Sequence, residues 1–468
     1  MRLAGETLAL GIAAACMLSL TTARAQTDGE PASADAQGDW INSPGVDAGG
    51  MRLGIHIRRQ DGTLSGTLDI PDRGALAVPL ANFKTDGANL SFDVPLGSGH
   101  YAGVWSPAKK AYLGQWTSPY GGGPLTLTRG RLAPPAPVDW NAPPAPGLIY
   151  TPAPAAHARV GPTLPIGKCV NMANMLEAPR EGAWGSPIAD DDFSIIKAAG
   201  FATVRIPVSW STHAQQSAPY TIDPAFLGRV HHVVDLATAA GLNVMLNVHN
   251  YDELTADPAA NAARFAGLWR QIAASFAAAP TSVWFELLNE PHDKLTDANL
   301  PATLAPALAA VRASNPTRPV VIGGQSWSSL KSLDTLTLPN DPNVVPTFHY
   351  YDPFAFTHQG ATWIPNPPPI GRAFGSAADK NALDKDLAAL RAYMARTGRV
   401  PVMGEYGANG DPRVPLEQRE RYYRTISAAF ASVGVQSCAW GYRNSFPLRG
   451  RDAWLPGMIE SISTTTTR

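Results

Sequence analysis

The chain has 468 residues, of which 45% are hydrophobic and 16% are charged, and its formal net charge is −1. This length predicts two domains with enough apolar material for a large core. The near-zero charge excludes the strongly basic surface by which proteins bind nucleic acid, and it gives no attraction to an anionic membrane.

The first 25 residues predict a signal peptide. Arg2 gives a positive start, residues 8–20 form an apolar run too short to span a membrane, and Ala23-Arg-Ala25 is a small-x-small cleavage site. Cleavage there would place a mature chain beginning at Gln26 in the periplasm or the medium, with no membrane association. Cys16 leaves a lipoprotein alternative open, although the apolar run continues past it.

Residues 38–132 predict a small antiparallel β-sandwich or barrel, because short alternating stretches are separated by Gly, Pro and Asp turns. The aromatic residues of this domain have two interpretations, an exposed stacking face for polysaccharide or a filled β core. They are Trp40, Tyr101, Trp105, Tyr112, Trp116 and Tyr120. Residues 133–160 are rich in Pro and Ala and predict an extended linker.

In residues 161–468, strand patterns alternate with helix patterns. The predicted helices include 191–199, 227–240, 261–277, 302–313 and 383–397, and glycines stand where several of them should end. The predicted strands are 166–171, 203–208, 243–248, 283–288, 320–322, 345–349, 400–404 and 436–439. Eight strands alternating with helices predict the α/β class and a (β/α)₈ TIM barrel.

Two of these strands lead into a glutamate. The runs are Trp284-Phe-Glu-Leu-Leu-Asn-Glu290-Pro and Val400-Pro-Val-Met-Gly-Glu405-Tyr-Gly. Because the carboxyl ends of barrel strands converge on one face, we expect Glu290 and Glu405 to face each other. Two facing carboxylates are the minimum equipment for breaking a glycosidic bond.

Other strand ends carry polar or aromatic residues that would converge on the same face. They are Arg205, His249, Asn250, Asn289, His349, Tyr351 and Trp440. One such residue is weak evidence of a site, and agreement among six strand ends is much stronger.

With these residues the chain resembles glycoside hydrolase family five, the cellulase-type family of retaining β-glycosidases, from about residue 167 onward. The matching segments are Val204-Arg205-Ile-Pro207, Asn247-Val-His249, Phe285-Glu-Leu-Leu-Asn-Glu290-Pro, Phe348-His-Tyr-Tyr351 and Gly404-Glu405-Tyr-Gly. The chain is most similar to bacterial endo-β-1,4-glucanases of the family, through Asn174-Met-Leu-Glu-Ala-Pro179, Trp210-Ser-Thr-His213 and Phe356-Thr-His-Gln-Gly-Ala-Thr-Trp363.

The resemblance implies that Glu290 is the acid/base and Glu405 the nucleophile. Burial and neighbouring negative charge would keep the acid protonated near neutral pH, whereas Arg205 and Tyr351 would keep the nucleophile ionised. The resemblance also implies a β-glucan substrate. Nothing in the sequence demands a cofactor or more than a monomer, and we expect no metal, because the chain has no HExxH motif. The implied sugar contacts are Asn289 to the 2-hydroxyl, His249, His349 and a Trp440 stacking platform, with Asn174, Trp210, His358 and Trp363 as further subsite candidates.

The chain departs from the family pattern at two places, which leaves its substrate preference open. Asn250 stands where similar proteins often have a second histidine, and Gly441-Tyr-Arg443 follows Trp440 where they often have an acidic residue. A β-mannanase or another β-glycanase is therefore an alternative to a β-glucanase. A non-catalytic glycan-binding protein is the second alternative, which the presence of both glutamates, Asn289 and Arg205 disfavours.

After signal cleavage the chain keeps two cysteines, Cys169 and Cys438, on the first and last predicted barrel strands. Those strands are neighbours in a closed barrel, so a disulfide is one alternative. We favour two buried free thiols, because an exported protein of this size needs no disulfide framework. The sequence has no HExxH metal motif, no GxSxG elbow and no glycine-rich phosphate loop.

Overall fold

The structure is a computed structural model that describes residues 35–42, 52–71, 75–95, 99–118, 121–132, 138–364 and 367–466. The predicted signal peptide, with Cys16, lies outside these ranges, as does Tyr120. The chain divides into two compact units, the first of residues 1–67 and 79–132 and the second of residues 68–78 and 133–468. Among the helices of the described ranges, none has both the length and the apolar character needed to span a membrane.

The first unit is all β, as predicted. In the described residues its strands form one sheet in the order β4-β3-β2-β1-β9-β8-β7-β6-β5. The two end strands of this sheet, β4 and β5, are separated in the chain by Leu80 alone. The strands are β1 (Gly38–Asn42), β2 (Gly54–Gln60), β3 (Thr63–Ile70), β4 (Ala75–Pro79), β5 (Ala81–Thr85), β6 (Asn89–Val94), β7 (Gly99–Ser106), β8 (Ala111–Ser118) and β9 (Gly121–Arg129).

Three of the aromatic residues of this unit, Trp40, Trp105 and Tyr112, pack against one another in its interior. Trp40, Tyr101 and Tyr112 are fully buried, and Trp105 packs edge-on against Trp40 and Tyr112 with ring centroids 6.1 and 5.4 Å apart. These contacts favour the filled β core over an exposed stacking face.

The barrel of the second unit confirms the predicted fold. Eight parallel strands close in chain order, from β10 beside β11 round to β17 beside β10. They are β10 (Cys169–Asn171), β11 (Thr203–Ile206), β12 (Asn243–Asn247), β13 (Val283–Glu286), β14 (Val320–Ile322), β15 (Val344–Tyr350), β16 (Val402–Tyr406) and β17 (Ser437–Ala439).

Helices pack around this barrel and bury a large apolar core against its outer face. Asp223 and Asp257 cap α2 and α4 through hydrogen bonds to backbone N–H groups, and each is followed by a proline at the first helical position. Gly398 ends α8 at φ 69°, a left-handed conformation that suits glycine. The helices are α1 (Asp192–Ala198), α2 (Pro224–Ala239), α3 (Asp252–Ala256), α4 (Pro258–Ser275), α5 (Leu300–Ser314), α6 (Gln325–Ser328), α7 (Phe354–Thr357), α8 (Ala377–Thr397) and α9 (Leu416–Ala431), with 3₁₀ turns at Pro107–Lys109, Trp210–His213 and Leu330–Asp334.

The described residues 138–160 of the segment predicted as a linker belong to the barrel unit. Leu148 is buried in the barrel core, Tyr150 donates a hydrogen bond to Asp384 at 2.8 Å, and the N–H of Ala153 bonds to the carbonyl of Ala431. The linker prediction is therefore wrong for these residues, because backbone and side-chain partners on α8 and α9 hold them.

The expectation of two free thiols is also wrong, because Cys169 and Cys438 form a disulfide. The parallel register places the two residues opposite each other on β10 and β17, with Cα atoms 4.4 Å apart. Both side chains are fully buried in the apolar layer inside the barrel. The disulfide therefore joins the first strand to the last at the point where the barrel closes.

Candidate active site

Alternation along the strands places one polar layer above the apolar layer inside the barrel. Cys169, Met245 and Trp284 belong to the apolar layer. The residues two positions later, Asn171, Asn247 and Glu286, are buried polar side chains, and so is Arg205. Because strand side chains alternate in direction, these residues point into the barrel toward the carboxyl ends of the strands.

Glu405 lies in β16, within this polar layer. Its Oε1 accepts a hydrogen bond from Arg205 Nη1 at 2.7 Å, and its Oε2 accepts one from the hydroxyl of Tyr351 at 2.8 Å. His349 Nδ1 lies 3.6 Å from the same Oε2. Burial raises the pKa of Glu405, while His349 and Arg205 act in the opposite direction. Groups on β11 and at the end of β15 therefore favour its carboxylate form, against the effect of burial.

Glu290 follows β13 and faces Glu405 across His349. Its Oε1 lies 2.7 Å from His349 Nδ1, and its side chain is 23% exposed. Burial raises the pKa of Glu290 to about 7, against the lowering effect of Arg205 and His292. Burial also lowers the pKa of His349, which favours the neutral imidazole near pH 7. Glu290 is thus equipped to carry a proton at neutral pH.

The spacing of the two carboxyl groups is short. One oxygen of Glu290, one oxygen of Glu405 and a ring nitrogen of His349 all lie within 4.8 Å of one another. Retaining glycosidases hold their carboxyl groups roughly 5–5.5 Å apart, and inverting enzymes hold them roughly 6.5–9.5 Å apart. This trio is also the one group within the described residues whose spacing suits a metal ion, but the adjacent Arg205 cation disfavours a divalent cation there.

Aromatic and amide side chains border the carboxylates. The rings of His249 and Trp440 are parallel within 7°, with centroids 5.5 Å apart. Burial holds the pKa of His249 well below its ordinary value, so this ring is neutral. Asn289 accepts a hydrogen bond from Arg205 Nη2 at 2.6 Å, and Asn250 donates one to the carbonyl of Glu177 at 3.0 Å.

The outer subsite candidates differ in exposure, and Trp210 alone among them is fully buried. Trp363 is 50% exposed and lies in an aromatic cluster with His358 and Phe446, at centroid distances of 6.5 and 5.7 Å. Asn174 is held at φ 61° by contacts with Glu177 and Ser445.

Trp210 is fully buried, and its indole N–H donates to the carbonyl of Asn247 at 2.9 Å. The prediction that Trp210 lines a subsite is therefore wrong, since it has no surface to offer a substrate; it supports the end of β12 instead.

Sequence reasoning missed two buried carboxyl groups and an exposed tryptophan. Glu286 forms an ion pair with Arg205 at 2.6 Å, and alternation along β13 could have identified it. Glu177 is buried beside the site, which raises its pKa to about 7, and it accepts a hydrogen bond from the N–H of Met175 at 2.8 Å. Trp327 is 53% exposed and stacks on His292, with centroids 5.1 Å apart and planes within 11°. Trp327 follows the predicted strand 320–322 by five residues, but it lies outside the segments that carry the family resemblance.

A closed parallel barrel with two carboxylates at its strand ends defines a hydrolase of the barrel glycosidase type. The family model described as Cellulase (glycosyl hydrolase family 5) matches residues 166–445, more than half of the chain. The chain therefore belongs to glycosyl hydrolase family 5, which confirms the predicted family.

Several relatives of this chain carry endoglucanase names. Endoglucanase H of Acetivibrio thermocellus is 38% identical over 276 residues, which cover 59% of this chain but only 29% of that protein. The Cel5A structure of Thermotoga maritima in complex with mannotriose is 35% identical with a TM-score of 0.62, covering 64% of this chain and 97% of that chain. A Cel5A structure with cellobiose is 35% identical with a TM-score of 0.61, covering 63% and 97%.

Proposed function

We propose that this protein is an exported endo-β-1,4-glucanase that hydrolyses internal bonds of β-glucans with retention of configuration. The observation that carries the proposal is the close pair of carboxyl groups, Glu290 and Glu405, with His349 between them. Glu405 accepts hydrogen bonds from Arg205 and Tyr351, whereas Glu290 lies against His349. Family membership and the names of the relatives support the β-glucan substrate.

In the first step Glu405 attacks the anomeric carbon while Glu290 gives its proton to the departing glycosidic oxygen. The raised pKa of Glu290 suits this role because the group is still substantially protonated near pH 7. In the second step Glu290, now a carboxylate, removes a proton from water, and this water releases the sugar from Glu405. Two inversions at the same carbon retain its configuration.

The surroundings of the pair support an extended polymer substrate. Trp440 lies beside His249 near the carboxylates. The exposed indoles of Trp327, in α6, and of Trp363, after α7, offer further flat apolar surfaces. Apolar faces of sugar rings pack well on such rings. Separate aromatic surfaces around one cleavage site favour binding to several sugar units and hence cleavage within a chain.

The proposal is tested by reducing-sugar release from carboxymethylcellulose, barley β-glucan, xyloglucan, glucomannan and mannan. We expect the glucans to be the best substrates, and proton NMR of the first products from β-glucan should show a β-configured reducing end. An α-configured product would refute retention. No release from any polymer, with binding to a glycan array, would favour a non-catalytic glycan-binding protein.

A β-mannanase is the second candidate, and one observation favours it. This chain matches 97% of the Cel5A chain whose structure contains mannotriose, at 35% identity. Faster release from mannan than from β-glucan in the same assay would keep the carboxylate mechanism and change the substrate class.

Export is also part of the proposal, and it rests on the signal-peptide pattern of residues 1–25. We expect the mature protein to begin at Gln26 outside the cytoplasm and to act as a monomer. Mass spectrometry of the protein from cell fractions would check the first point, and light scattering would check the second. An intact residue 1–25 segment on cytoplasmic protein would refute export.

A further inference from the structure

The guanidinium group of Arg205 makes a complete set of hydrogen bonds inside the barrel. A guanidinium has five N–H donors in a fixed plane. Here Nε donates to Glu286, Nη2 to Glu286 and Asn289, and Nη1 to Asn171 and Glu405, at 2.6, 3.0, 2.6, 2.8 and 2.7 Å respectively. Each of the five donors therefore has one acceptor, and the orientation of Arg205 is fully specified.

The two carboxylates share this cation unequally. Glu286 receives two bonds, from Nε and Nη2, whereas Glu405 receives one bond from Nη1. Arg205 and Glu286 have no exposed side-chain surface, so Glu286 has no access to a substrate. The two shortest bonds of Glu286 come from Arg205, so the route from Glu286 to Glu405 runs through that cation. Glu286 also accepts a hydrogen bond from Asn247 at 3.4 Å, and its charge tends to raise the pKa values of Glu290 and His349.

We propose that Glu286 is a positioning residue for Arg205. It binds the Nε and Nη2 atoms of the guanidinium and partly neutralises its charge. Arg205 then holds the nucleophile Glu405 by one N–H alone. This inference rests on the proposed function, because it takes Glu405 as the attacking group. Without Glu286 the guanidinium would be free to turn its paired N–H groups toward Glu405, and a bidentate ion pair would hold that carboxylate more tightly. A more strongly held carboxylate is a weaker nucleophile.

Charge balance in the buried cluster supports the same conclusion. One arginine cation faces two carboxylates, so removal of the Glu286 charge would leave Arg205 to Glu405 alone and favour the ionised form of Glu405. The other titratable groups around Glu405 stay in place in such a variant. They are Glu177, His249, Glu290, His349 and Tyr351.

The test uses the full-length chain, the variants Glu286→Gln and Glu286→Asp, and dinitrophenyl β-cellobioside as substrate. The dinitrophenyl leaving group needs no acid. The fall of kcat/KM toward low pH (the low-pH limb) therefore reports the ionisation of Glu405 without interference from Glu290. We expect Glu286→Gln to move this limb to lower pH by about 1 unit and to lower kcat. Glu286→Asp keeps the charge but is one methylene shorter, so the limb should stay in place while kcat falls.

Asp341→Asn is the matched control. Asp341 binds the Nε and Nη2 side of Arg312 at 2.6 and 3.2 Å, the same pairing geometry, before the start of β15. We expect it to leave the pH profile unchanged.

The inference is overturned if Glu286→Gln leaves both the limb and kcat unchanged, or if Glu286→Gln and Glu286→Asp move the limb equally. If the Gln variant does not fold, the Asp variant decides: a limb shifted by about 1 unit overturns the inference, and an unshifted limb with reduced kcat supports it. Failure of the proposed function is distinguishable, because the wild-type protein would then not hydrolyse the aryl glycoside, or would do so equally after Glu405→Ala.

Discussion

Glu290→Gln is expected to make the folded protein more stable at about pH 8 and to leave its stability unchanged at about pH 4. The physical reason is that burial raises the pKa of Glu290 from its ordinary 4.5 to about 7. At low pH the group is protonated in both the folded and the unfolded chain, so it has no effect. As the pH rises from 4.5 to about 7, the unfolded chain loses this proton first, and the folded state becomes progressively less stable relative to it.

The difference between the two pKa values corresponds to about 3 kcal/mol of unfolding free energy, fully expressed above pH 7. The glutamine amide is neutral and still offers His349 an oxygen, so it avoids this cost. For a unit of this size, about 3 kcal/mol corresponds to an increase in Tm of roughly 4 °C. Thermal unfolding followed by circular dichroism at both pH values measures the effect.

Glu181→Gln is a control with the opposite sign. Burial tends to raise the pKa of Glu181, but its bidentate bonds from Arg229 outweigh this and lower the pKa. This substitution should therefore destabilise the protein at about pH 8, and the loss should shrink as the pH falls through that lowered pKa. The same Tm difference at both pH values for Glu290→Gln would refute the reasoning that burial keeps Glu290 protonated.

Hydrolysis of β-glucan should decline as the pH rises through about 7, because protonated Glu290 is lost. It should also decline at low pH as Glu405 gains a proton. A pH–rate profile with no fall on the alkaline side would contradict this prediction. Glu405→Ala should abolish turnover and azide should partly restore it, whereas Glu290→Ala should lose roughly 10²–10⁴-fold on polysaccharide but far less on aryl glycosides with good leaving groups. Equal losses on both substrates would count against these roles. Replacement of both Cys169 and Cys438 by Ala should lower the unfolding free energy by about 2–5 kcal/mol. The value of kcat should change little, since the disulfide lies in the apolar layer. Denaturant unfolding measures the loss of stability, and an unchanged midpoint would contradict the prediction.

Strand and helix positions in the barrel were predictable because they depend on local patterns. The strand Val320–Ile322 was predicted to the residue, and Thr203–Ile206 differs from its prediction only at one end. The predicted helix 191–199 corresponds to Asp192–Ala198. Apolar runs, capping residues and terminal glycines act over a few neighbours, so they can be seen in the sequence itself.

Long-range pairing was less predictable, and both errors in the fold come from it. Free thiols were favoured over a disulfide because the register that sets Cys169 opposite Cys438 is a property of the closed barrel. Residues 138–160 have the composition of a linker, and only their partners on α8 and α9 make them part of the barrel unit.

The barrel, its family and the two glutamates at the strand ends were predictable from the amino-acid chain, because periodicity and short motifs specify these features locally. The way these residues act on one another was set by the tertiary structure. It shares Arg205 between Glu286 and Glu405, places His349 between the two carboxyl groups, and buries Trp210 out of reach of a substrate. The physical reason is that hydrogen bonding, burial and the resulting pKa values depend on distances between residues far apart in the chain, and those distances are set only when the barrel closes.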